Sequence, residues 1–269
     1  MKKTRLDLLL VERGLAESRS LAQRLIMAGL VRVDGQVELR SAAGIPSEAR
    51  ITVEQGPRFV SRGGEKLEAA LQAFGVSIAG KACADVGAST GGFTDCLLQH
   101  GAAKVFAIDV GRGLLDWKLR QDPRVVVLEG TNARHLEQLP QGVELITIDV
   151  SFISLKVILP VVKGWFCLDD KSVTGRSGTL IALIKPQFEA GRQQVGRGKG
   201  VIRDPAIHRQ VLEDVLGFAA REGYAARGLV RSPLTGPKGN AEFLAWLEYP
   251  GEPIPSIEGM LEAAFSALG

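Results

Sequence analysis

Short apolar runs alternate with amphipathic stretches along most of the chain after residue 61. The runs have the length of buried strands, and in the stretches between them apolar residues recur every three or four positions, as on one face of a helix. This order predicts an α/β fold with a doubly wound, parallel sheet. The predicted strands are Ala82–Val86, Val105–Ile108, Val125–Leu128, Leu145–Val150 and Thr179–Ile184, with helices near 92–100, 112–120 and 154–166.

The last part of the chain carries a second kind of pattern. A long helical stretch, Pro205–Glu222, leads to an apolar segment at Tyr224–Arg231, and residues Ala241–Tyr249 alternate as in a strand. We expect this final strand to be inserted beside the parallel ones. A short amphipathic helix is predicted at Ile257–Leu268.

The first 60 residues predict a separate small α+β unit. Residues Arg5–Arg13 form a short helix pattern that ends at Gly14, and Ser18 or Ser20 can cap a second helix that ends at Gly29. The sequence V-R-V-D-G-Q-V that follows predicts a hairpin with Asp-Gly in its turn. Because residues 54–60 contain Gly and Pro, we predict a linker there, between a unit at 1–60 and a larger domain at 61–269.

Charge distinguishes the two parts of the chain. Residues 1–60 carry ten Lys and Arg against seven Asp and Glu, whereas residues 61–269 carry 23 of each, so the whole net charge of +3 lies in the small unit. A basic unit attached to a neutral domain indicates binding to a polyanion.

Composition bounds the class of protein further. With 45% hydrophobic residues the chain can form a full core, and the apolar run near its start is too short for a signal peptide or a membrane span. Three separated cysteines in apolar contexts make a disulfide framework or a zinc site unexpected, which fits a cytoplasmic protein. We interpret the histidines as surface or capping residues, not metal ligands. The residues in question are Cys83, Cys96, Cys167, His100, His135 and His208.

The stretch A-D-V-G-A-S-T-G-G-F-T-D at residues 84–95 predicts a strand, a glycine turn and the start of a helix. It lacks the G-x-G-x-x-G spacing that binds a pyrophosphate. An acidic residue, Asp85, followed by small residues suits a ligand with an ammonium group and no phosphate, as in S-adenosylmethionine. Asp109, at the tip of the next strand, can accept both ribose hydroxyls. The alternative is that both acids merely cap turns.

Four charged residues lie where predicted strands end or elements meet. They are Lys66, Asp149, Lys185 and Glu242. Charges at the ends of buried strands are costly unless they are paired. Because the carboxyl ends of the strands adjoin the ligand crevice in a doubly wound sheet, we expect Asp149 and Lys185 to lie close together there. Structural ion pairs are the competing interpretation.

Five ordered motifs carry a family resemblance. The segments S-R-G-G-E-K-L, D-V-G-A-S-T-G-G-F-T-D, I-D-V-S-F-I-S-L, L-I-K-P-Q-F-E and G-N-A-E-F-L together resemble the TlyA family of ribosomal RNA ribose methyltransferases, whose catalytic domain is similar to the FtsJ type. The resemblance implies a Rossmann-like methyltransferase that uses S-adenosylmethionine to methylate a cytidine ribose 2′-hydroxyl in ribosomal RNA. It also implies a catalytic tetrad, which maps onto Lys66, Asp149, Lys185 and Glu242.

The residues expected to bind the cofactor lie in and around the glycine loop and at or after the ends of the next two predicted strands. We assign to the cofactor Asp85, Gly87, Ser89, Gly91, Gly92, Phe93, Thr94, Asp109 and Asn132. The resemblance implies that Asn132 lies near the adenine. No metal ion is assigned.

Residues 10–35 resemble the S-four-like RNA-binding domain, named after a small-subunit ribosomal protein. This implies that Arg5, Arg19, Arg24 and Arg32 face RNA phosphates. The glycine-rich loop at Gln187–Val201 adds a second basic region. Its cations, which we expect to clamp a nucleic-acid backbone, are Arg192, Arg197 and Lys199.

Three functions from different classes compete at this point. The first is an RNA ribose methyltransferase that acts on ribosomal RNA or ribosomal subunits and has no stable protein partner. The second is a nicotinamide-dependent dehydrogenase, which the missing dinucleotide spacing disfavours. The third is a non-catalytic RNA-binding protein, which the tetrad disfavours. Members of the family are often labelled hemolysins, but the sequence shows no pattern of a pore-forming or spanning segment.

Overall fold

The structure is a computed structural model that describes residues 3–54, 56–167, 177–191, 200–252 and 256–266. The chain divides into two compact units, Met1–Arg58 and Phe59–Gly269. We number the described helices and strands in chain order.

The first unit has two helices and short antiparallel strands. Its elements are β1 (Lys3–Arg5), α1 (Leu6–Glu12), α2 (Arg19–Met27), β2 (Val31–Val33), β3 (Gln36–Val37), β4 (Gly44–Pro46) and β5 (Ile51–Val53). Strand β1 pairs with β4, and β2 lies between β3 and β5. The predicted hairpin turn is present, because Asp34 and Gly35 have φ of 51° and 84°, the positive values that a type I′ turn needs. The helices bury Leu6, Leu10, Ala22 and Ile26 completely.

The second unit alternates strands and helices as the apolar pattern predicts. Its elements are α3 (Gly63–Phe74), β6 (Ala82–Val86), α4 (Gly92–Gln99), β7 (Lys104–Asp109), α5 (Trp117–Arg120), β8 (Val125–Glu129), β9 (Leu145–Ile148), α6 (Leu155–Val162), β10 (Gly178–Ile184), α7 (Pro186–Glu189), α8 (Pro205–Arg221), β11 (Ala225–Arg231), β12 (Phe243–Tyr249) and α9 (Glu258–Ser266). Short 3₁₀ helices occur at Ala133–His135 and Lys163–Trp165.

Within the described residues, seven strands form one sheet in the order β11-β12-β10-β9-β6-β7-β8. The strands from β6 to β10 are parallel to their neighbours, whereas β12 pairs antiparallel with both β10 and β11. The chain order reverses between β6 and β9, which is the position where a doubly wound sheet opens a crevice for ligands. The prediction of a parallel sheet with one inserted terminal strand is confirmed.

Apolar residues on the two sheet faces pack against different helices. One cluster joins Val86, Ile108 and Ile146 to α6 and α8. The other joins Cys83 and Val105 to α3 and α4. Successive strand residues therefore alternate between the two clusters, as the twofold period of a strand requires.

The predicted helix at 112–120 is wrong over its first half. The helix begins only at Trp117, where the Asp116 side chain accepts a hydrogen bond from the backbone N–H of Lys118 at 2.9 Å. Before it, the Glu129 carboxylate accepts hydrogen bonds from the backbone N–H groups of Gly113 and Leu114 at 2.8 and 3.0 Å. A distant carboxylate therefore holds this segment as a loop, a contact that periodicity does not reveal. These backbone bonds lower the pKa of Glu129 to about 2.

The cysteines and histidines also depart in part from expectation. Cys167 is exposed, because the chain leaves the core after the buried Phe166. His208 is buried and its Nε2 lies 3.1 Å from the carbonyl oxygen of Ile202, so the prediction of a surface position was wrong for this residue. Burial lowers the pKa of His208.

Among the described residues, no helix has the length and apolar character needed to cross a membrane.

Replacing Tyr224 with Phe tests how the end of α8 is held. The Tyr224 hydroxyl, fully buried, donates to the carbonyl oxygen of Leu159 in α6 at 2.8 Å. Its loss leaves a buried carbonyl unpaired, which costs about 1 kcal/mol or more. We expect the melting temperature of Tyr224→Phe to fall by about 2–4 °C, measured by circular dichroism. An unchanged melting temperature would show that water replaces the hydroxyl.

Candidate active site

The carboxyl ends of the central strands bring the predicted residues together. Strand β9 ends at Ile148, directly before Asp149, and β10 ends at Ile184, directly before Lys185. The pairing of Val86 with Ile148 places the glycine turn after β6 beside Asp149. Asp109 is the last residue of β7. The expected meeting of Asp149 and Lys185 is confirmed by a distance of 2.6 Å between Oδ1 and Nζ.

The glycine turn lies against the neighbouring strand end. Gly87 has φ of 86°, and a Cβ atom at this residue would lie 2.5 Å from the carbonyl oxygen of Asp149. Glycine is therefore required here by both backbone conformation and space.

The start of α4 is equally crowded. Gly91 precedes the helix with φ of 97°, and a Cβ atom at Gly92 would lie 2.3 Å from Ser61 Oγ. The glycine pair thus lets the first turn of α4 approach the segment that opens α3, which carries Lys66.

Two cavities flank this turn. The first, the Lys66 cavity, has a volume of about 220 Å³. It is lined by Lys66, Gly87, Ser89, Gly92, Phe93 and Asp149 together with Ser61–Gly63, Leu234, Thr235 and Pro237. The second, the Asp109 cavity, has a volume of about 410 Å³ and shares Gly87, Ser89 and Asp149 with the first.

The Asp109 cavity combines a carboxylate with apolar walls. Asp109 accepts hydrogen bonds from the backbone N–H groups of Ser89 and Gly111 at 2.8 and 2.7 Å, which fixes the carboxylate at the cavity wall. Val110 and Leu114 add apolar surface that is otherwise exposed. Asn132 lines the same cavity, and its side chain accepts a hydrogen bond from the N–H of Arg134 at 3.1 Å.

Asp85 and Thr94 lie beneath the turn and line neither cavity. Both are fully buried. Asp85 accepts hydrogen bonds from the hydroxyls of Thr94 and Thr147 at 2.7 and 3.1 Å. The carboxyl therefore supports the turn from within, instead of facing a ligand as the sequence suggested. Burial raises the pKa of Asp85 from 3.8 to about 7.

The four predicted catalytic residues form two lysine–carboxylate pairs. Lys66 Nζ lies 2.5 Å from Glu242 Oε2, and both side chains are almost fully buried. Lys185 pairs with Asp149, as described above, and also donates to Ser151 Oγ at 3.0 Å. Because Ile184 pairs with Phe243 across β10 and β12, Lys185 and Glu242 lie at the same end of the sheet.

Unpaired polar atoms mark the same region. Within the described residues, four buried side-chain polar atoms have no hydrogen-bond partner, and three of them are Asp149 Oδ1, Glu242 Oε1 and Gln187 Oε1. The Asp149 oxygen contacts Lys185 as an ion pair but not with hydrogen-bond geometry. Native proteins pair most buried polar groups, so the free oxygens of Glu242 and Gln187 indicate a place where a ligand supplies the missing partners.

A third cavity, the Lys185 cavity, opens on the other side of the tetrad. It has a volume of about 530 Å³ and is lined mainly by apolar atoms. Its residues are Ser151, Phe152, Lys185, Gln187, Phe188, Gly200, Pro237, Lys238, Asn240 and Glu242.

Sequence reasoning missed Ser151, Phe152, Gln187 and Phe188 as site residues. The rings of Phe152 and Phe188 lie 4.9 Å apart between centroids. Phe152 is 89% exposed and has a strained φ of 64°, two properties that a structural phenylalanine lacks. The available signal was position, since each of the four lies within three residues of Asp149 or of Lys185.

The predicted RNA-binding arginines of the first unit are partly paired. Arg5 and Arg19 both contact the buried carboxylate of Asp7, at 2.9 and 3.0 Å. The Arg5 hydrogen bond is the main reason that the pKa of Asp7 lies well below its usual range. Arg32 pairs with Glu54, whereas Arg24 is exposed on α2. The three predicted cations Arg192, Arg197 and Lys199 lie outside the described residues.

One group among the described residues could hold a metal ion. The donor atoms of Glu68, Cys96 and His100 lie within 4.8 Å of one another. His100 Nε2 lies 2.5 Å from Glu68 Oε2. An ion pair or hydrogen bond between the α3 and α4 regions therefore accounts for the closeness of these two side chains.

The sheet order, the glycine turn and the acidic tip of β7 define a methyltransferase of the doubly wound class. The FtsJ-like methyltransferase family model matches residues 59–249, and the S4 domain model matches residues 4–41. The chain belongs to the FtsJ-like methyltransferase family.

Several relatives are similar over nearly the whole chain. A Bacillus subtilis protein described as a candidate rRNA methyltransferase, YqxC, is 51% identical over 93% of this chain and 88% of its own. The 16S/23S rRNA (cytidine-2′-O)-methyltransferase TlyA of Mycobacterium tuberculosis is 44% identical over 99% of this chain and 98% of its own. A solved structure from Streptococcus thermophilus, described as a candidate hemolysin, is 42% identical, covers 99% of this chain and 96% of its own, and has a TM-score of 0.72.

Asp85 predicts a pH dependence of stability. Its folded pKa of about 7 lies above its ordinary value of 3.8, so its stabilising contribution is complete below pH 3.8 and is lost as pH rises through about 7. We expect Asp85→Asn, which stays neutral, to gain melting temperature relative to the wild type between pH 5 and pH 8. A difference between the two proteins that is constant with pH would contradict the raised pKa.

Gly87→Ala tests the close approach at the turn. The added methyl group would collide with the Asp149 carbonyl, so we expect affinity for S-adenosylmethionine to fall by about tenfold or more, measured by calorimetry. Gly80→Ala is the matched control. Gly80 also has positive φ, 76°, but a Cβ there meets nothing within 4 Å. This control should lose about 1 kcal/mol of stability and keep its cofactor affinity. Equal affinities of both variants would show that the approach is not required for binding.

Proposed function

We propose that this protein transfers a methyl group from S-adenosylmethionine to the ribose 2′-hydroxyl of a cytidine in ribosomal RNA. The observation that carries the proposal is the pair of lysine–carboxylate contacts beside the carboxyl ends of β9 and β10 and the amino end of β12, between the glycine turn and a largely apolar cavity. The relative TlyA of Mycobacterium tuberculosis, similar over nearly its full length, carries this activity in its name.

The residues around the glycine turn fit the cofactor. Asp109 offers a fixed carboxylate to two ribose hydroxyls, and Val110 and Leu114 offer an apolar wall to the adenine. The Asp149 carboxylate, which lines both the Lys66 and the Asp109 cavities, suits the ammonium group of the methionine part. Gly87 and Gly92 allow the backbone to approach the ligand, and Asn132, which lines the Asp109 cavity, would contact the adenine. When bound, S-adenosylmethionine supplies a methyl group already activated by its positive sulfur.

The protein's task is then to hold the acceptor oxygen in line and to remove its proton. Lys185 lines the Lys185 cavity and is paired with Asp149 on the cofactor side, so its Nζ lies at the boundary between the two. We assign to Lys185 the hydrogen bond to the 2′-oxygen. When its amine has lost its own proton, Lys185 would take the hydroxyl proton as the methyl group passes from sulfur to the 2′-oxygen.

The second pair supports this arrangement. Lys66 stabilises the negative charge that develops on the oxygen, and Glu242 holds Lys66 through the contact at 2.5 Å. Gly236 lies against the Glu242 side chain, and a Cβ atom at Gly236 would lie 2.5 Å from Glu242 Oε1. The glycine therefore provides the space that the Glu242 carboxylate needs.

The acceptor nucleotide fits the Lys185 cavity. A cavity of about 530 Å³ that is mostly apolar and holds two phenylalanine rings suits a nucleobase turned out of its RNA stack. Exposed aromatic rings such as Phe152 are typical stacking platforms for bases. The first unit, which matches the S4 domain and carries the net positive charge, binds the surrounding RNA.

Lys185→Ala tests the chemistry. Loss of a general base at the acceptor oxygen should lower the rate of methyl transfer by about 100-fold or more, while cofactor affinity stays close to that of the wild type. We would measure transfer of labelled methyl groups to ribosomal subunits and to naked rRNA. Lys163→Ala is the control, because Lys163 also pairs with a carboxylate, Glu222, at 2.7 Å, but lines none of the three cavities.

Alkaline hydrolysis of the labelled RNA identifies the atom that is methylated. A 2′-methyl group blocks cleavage, so the label should appear in alkali-resistant dinucleotides that contain cytidine. Label in single nucleotides would mean base methylation. Absence of label on both substrates, with cofactor binding intact, would favour a non-catalytic RNA-binding protein.

A further inference from the structure

We propose that Ser151 is a positioning residue that directs the Lys185 amine toward the acceptor oxygen. This inference rests on the proposed function. Ser151 lies two residues after Asp149, in the exposed segment between β9 and α6.

The hydrogen bonds of Lys185 carry the inference. Among the described residues, its Nζ donates one hydrogen bond with proper geometry, to Ser151 Oγ at 3.0 Å. The closer contact, between Nζ and Asp149 Oδ1 at 2.6 Å, is an ion pair. An ion pair attracts from any direction, but a hydrogen bond has a preferred direction. The hydrogen bond to Ser151 therefore sets the orientation of the Lys185 amine. Asp149 supplies a negative charge beside that amine.

The position of Ser151 supports the same role. Ser151 lines both the Asp109 cavity and the Lys185 cavity, whereas Lys185 lines only the latter. The hydroxyl thus stands at the junction between the proposed cofactor and acceptor sites, where methyl transfer would occur. Its neighbour Phe152, with a φ of 64°, holds a backbone conformation that costs free energy. Such strain is tolerated where a segment must present particular side chains.

Ser151→Ala should separate rate from binding. The hydrogen bond that orients the Lys185 amine is lost, so we expect kcat for methyl transfer to fall by about 10- to 100-fold. The KM for RNA and the affinity for S-adenosylmethionine should stay within about threefold of the wild type, because the fall arises in the transition state. Ser151→Thr keeps the hydroxyl and should recover most of kcat.

Ser256→Ala is the matched control. Its hydroxyl also makes one hydrogen bond, from the backbone N–H of Glu258 at 3.2 Å, but it lines none of the three cavities. We expect its kcat to stay within about twofold of the wild type.

Three results would overturn the inference. The first is a Ser151→Ala enzyme with wild-type kcat. The second is a loss of cofactor affinity as large as the loss of kcat, which would make Ser151 a cofactor-binding residue. The third is failure of Ser151→Thr to recover kcat although it melts at the wild-type temperature. Lys185→Ala, measured in parallel, distinguishes this failure from that of the proposed function: full activity of Lys185→Ala refutes the role of Lys185 itself.

Discussion

Buried charge at the end of the sheet where the parallel strands finish is the constraint on which the site depends. Lys66, Lys185 and Glu242 are almost fully buried, and an unpaired charge in such surroundings costs several kcal/mol. Each lysine therefore needs a carboxylate, and the contacts at 2.5 and 2.6 Å supply one for each. One pair joins α3 to the residue that precedes β12, and the other joins the ends of the neighbouring parallel strands β9 and β10.

The pairing of these buried charges is incomplete, which indicates that the same side chains also interact with ligands. A purely structural ion-pair network would satisfy its oxygens, yet Glu242 Oε1 lacks a hydrogen-bond partner among the described residues. Asp149 lines the Lys66 and Asp109 cavities, and Glu242 lines the Lys185 cavity. Gly87 in the glycine turn packs directly against the backbone of Asp149, where no larger side chain would fit. The turn therefore bounds this region on the side of the proposed cofactor site. The same residues thus hold the strands together and leave donors and acceptors available to ligands.

The fold and most of the tetrad could be predicted from local patterns, and the failures have identifiable physical causes. Residues 112–116 have a helical apolar pattern, but the carboxylate of Glu129, a residue of another strand, takes their backbone N–H groups. Asp85 lies in the glycine motif, but its side chain turns to Thr94 and Thr147 beneath the turn. Ser151 and Phe152 have no distinguishing local pattern, because their role depends on the distant Lys185 and Phe188.

The sequence by itself determined the alternation of strands and helices, the glycine turn and the charges that end the strands. These features follow from apolar period, from backbone freedom and from the cost of burying charge, which act within a few residues. Only the tertiary structure decided which carboxylate meets which lysine, which acid faces a cavity and where aromatic rings gather beside Lys185. These outcomes depend on strand order and register, which bring together residues up to 176 positions apart, as in Lys66 and Glu242.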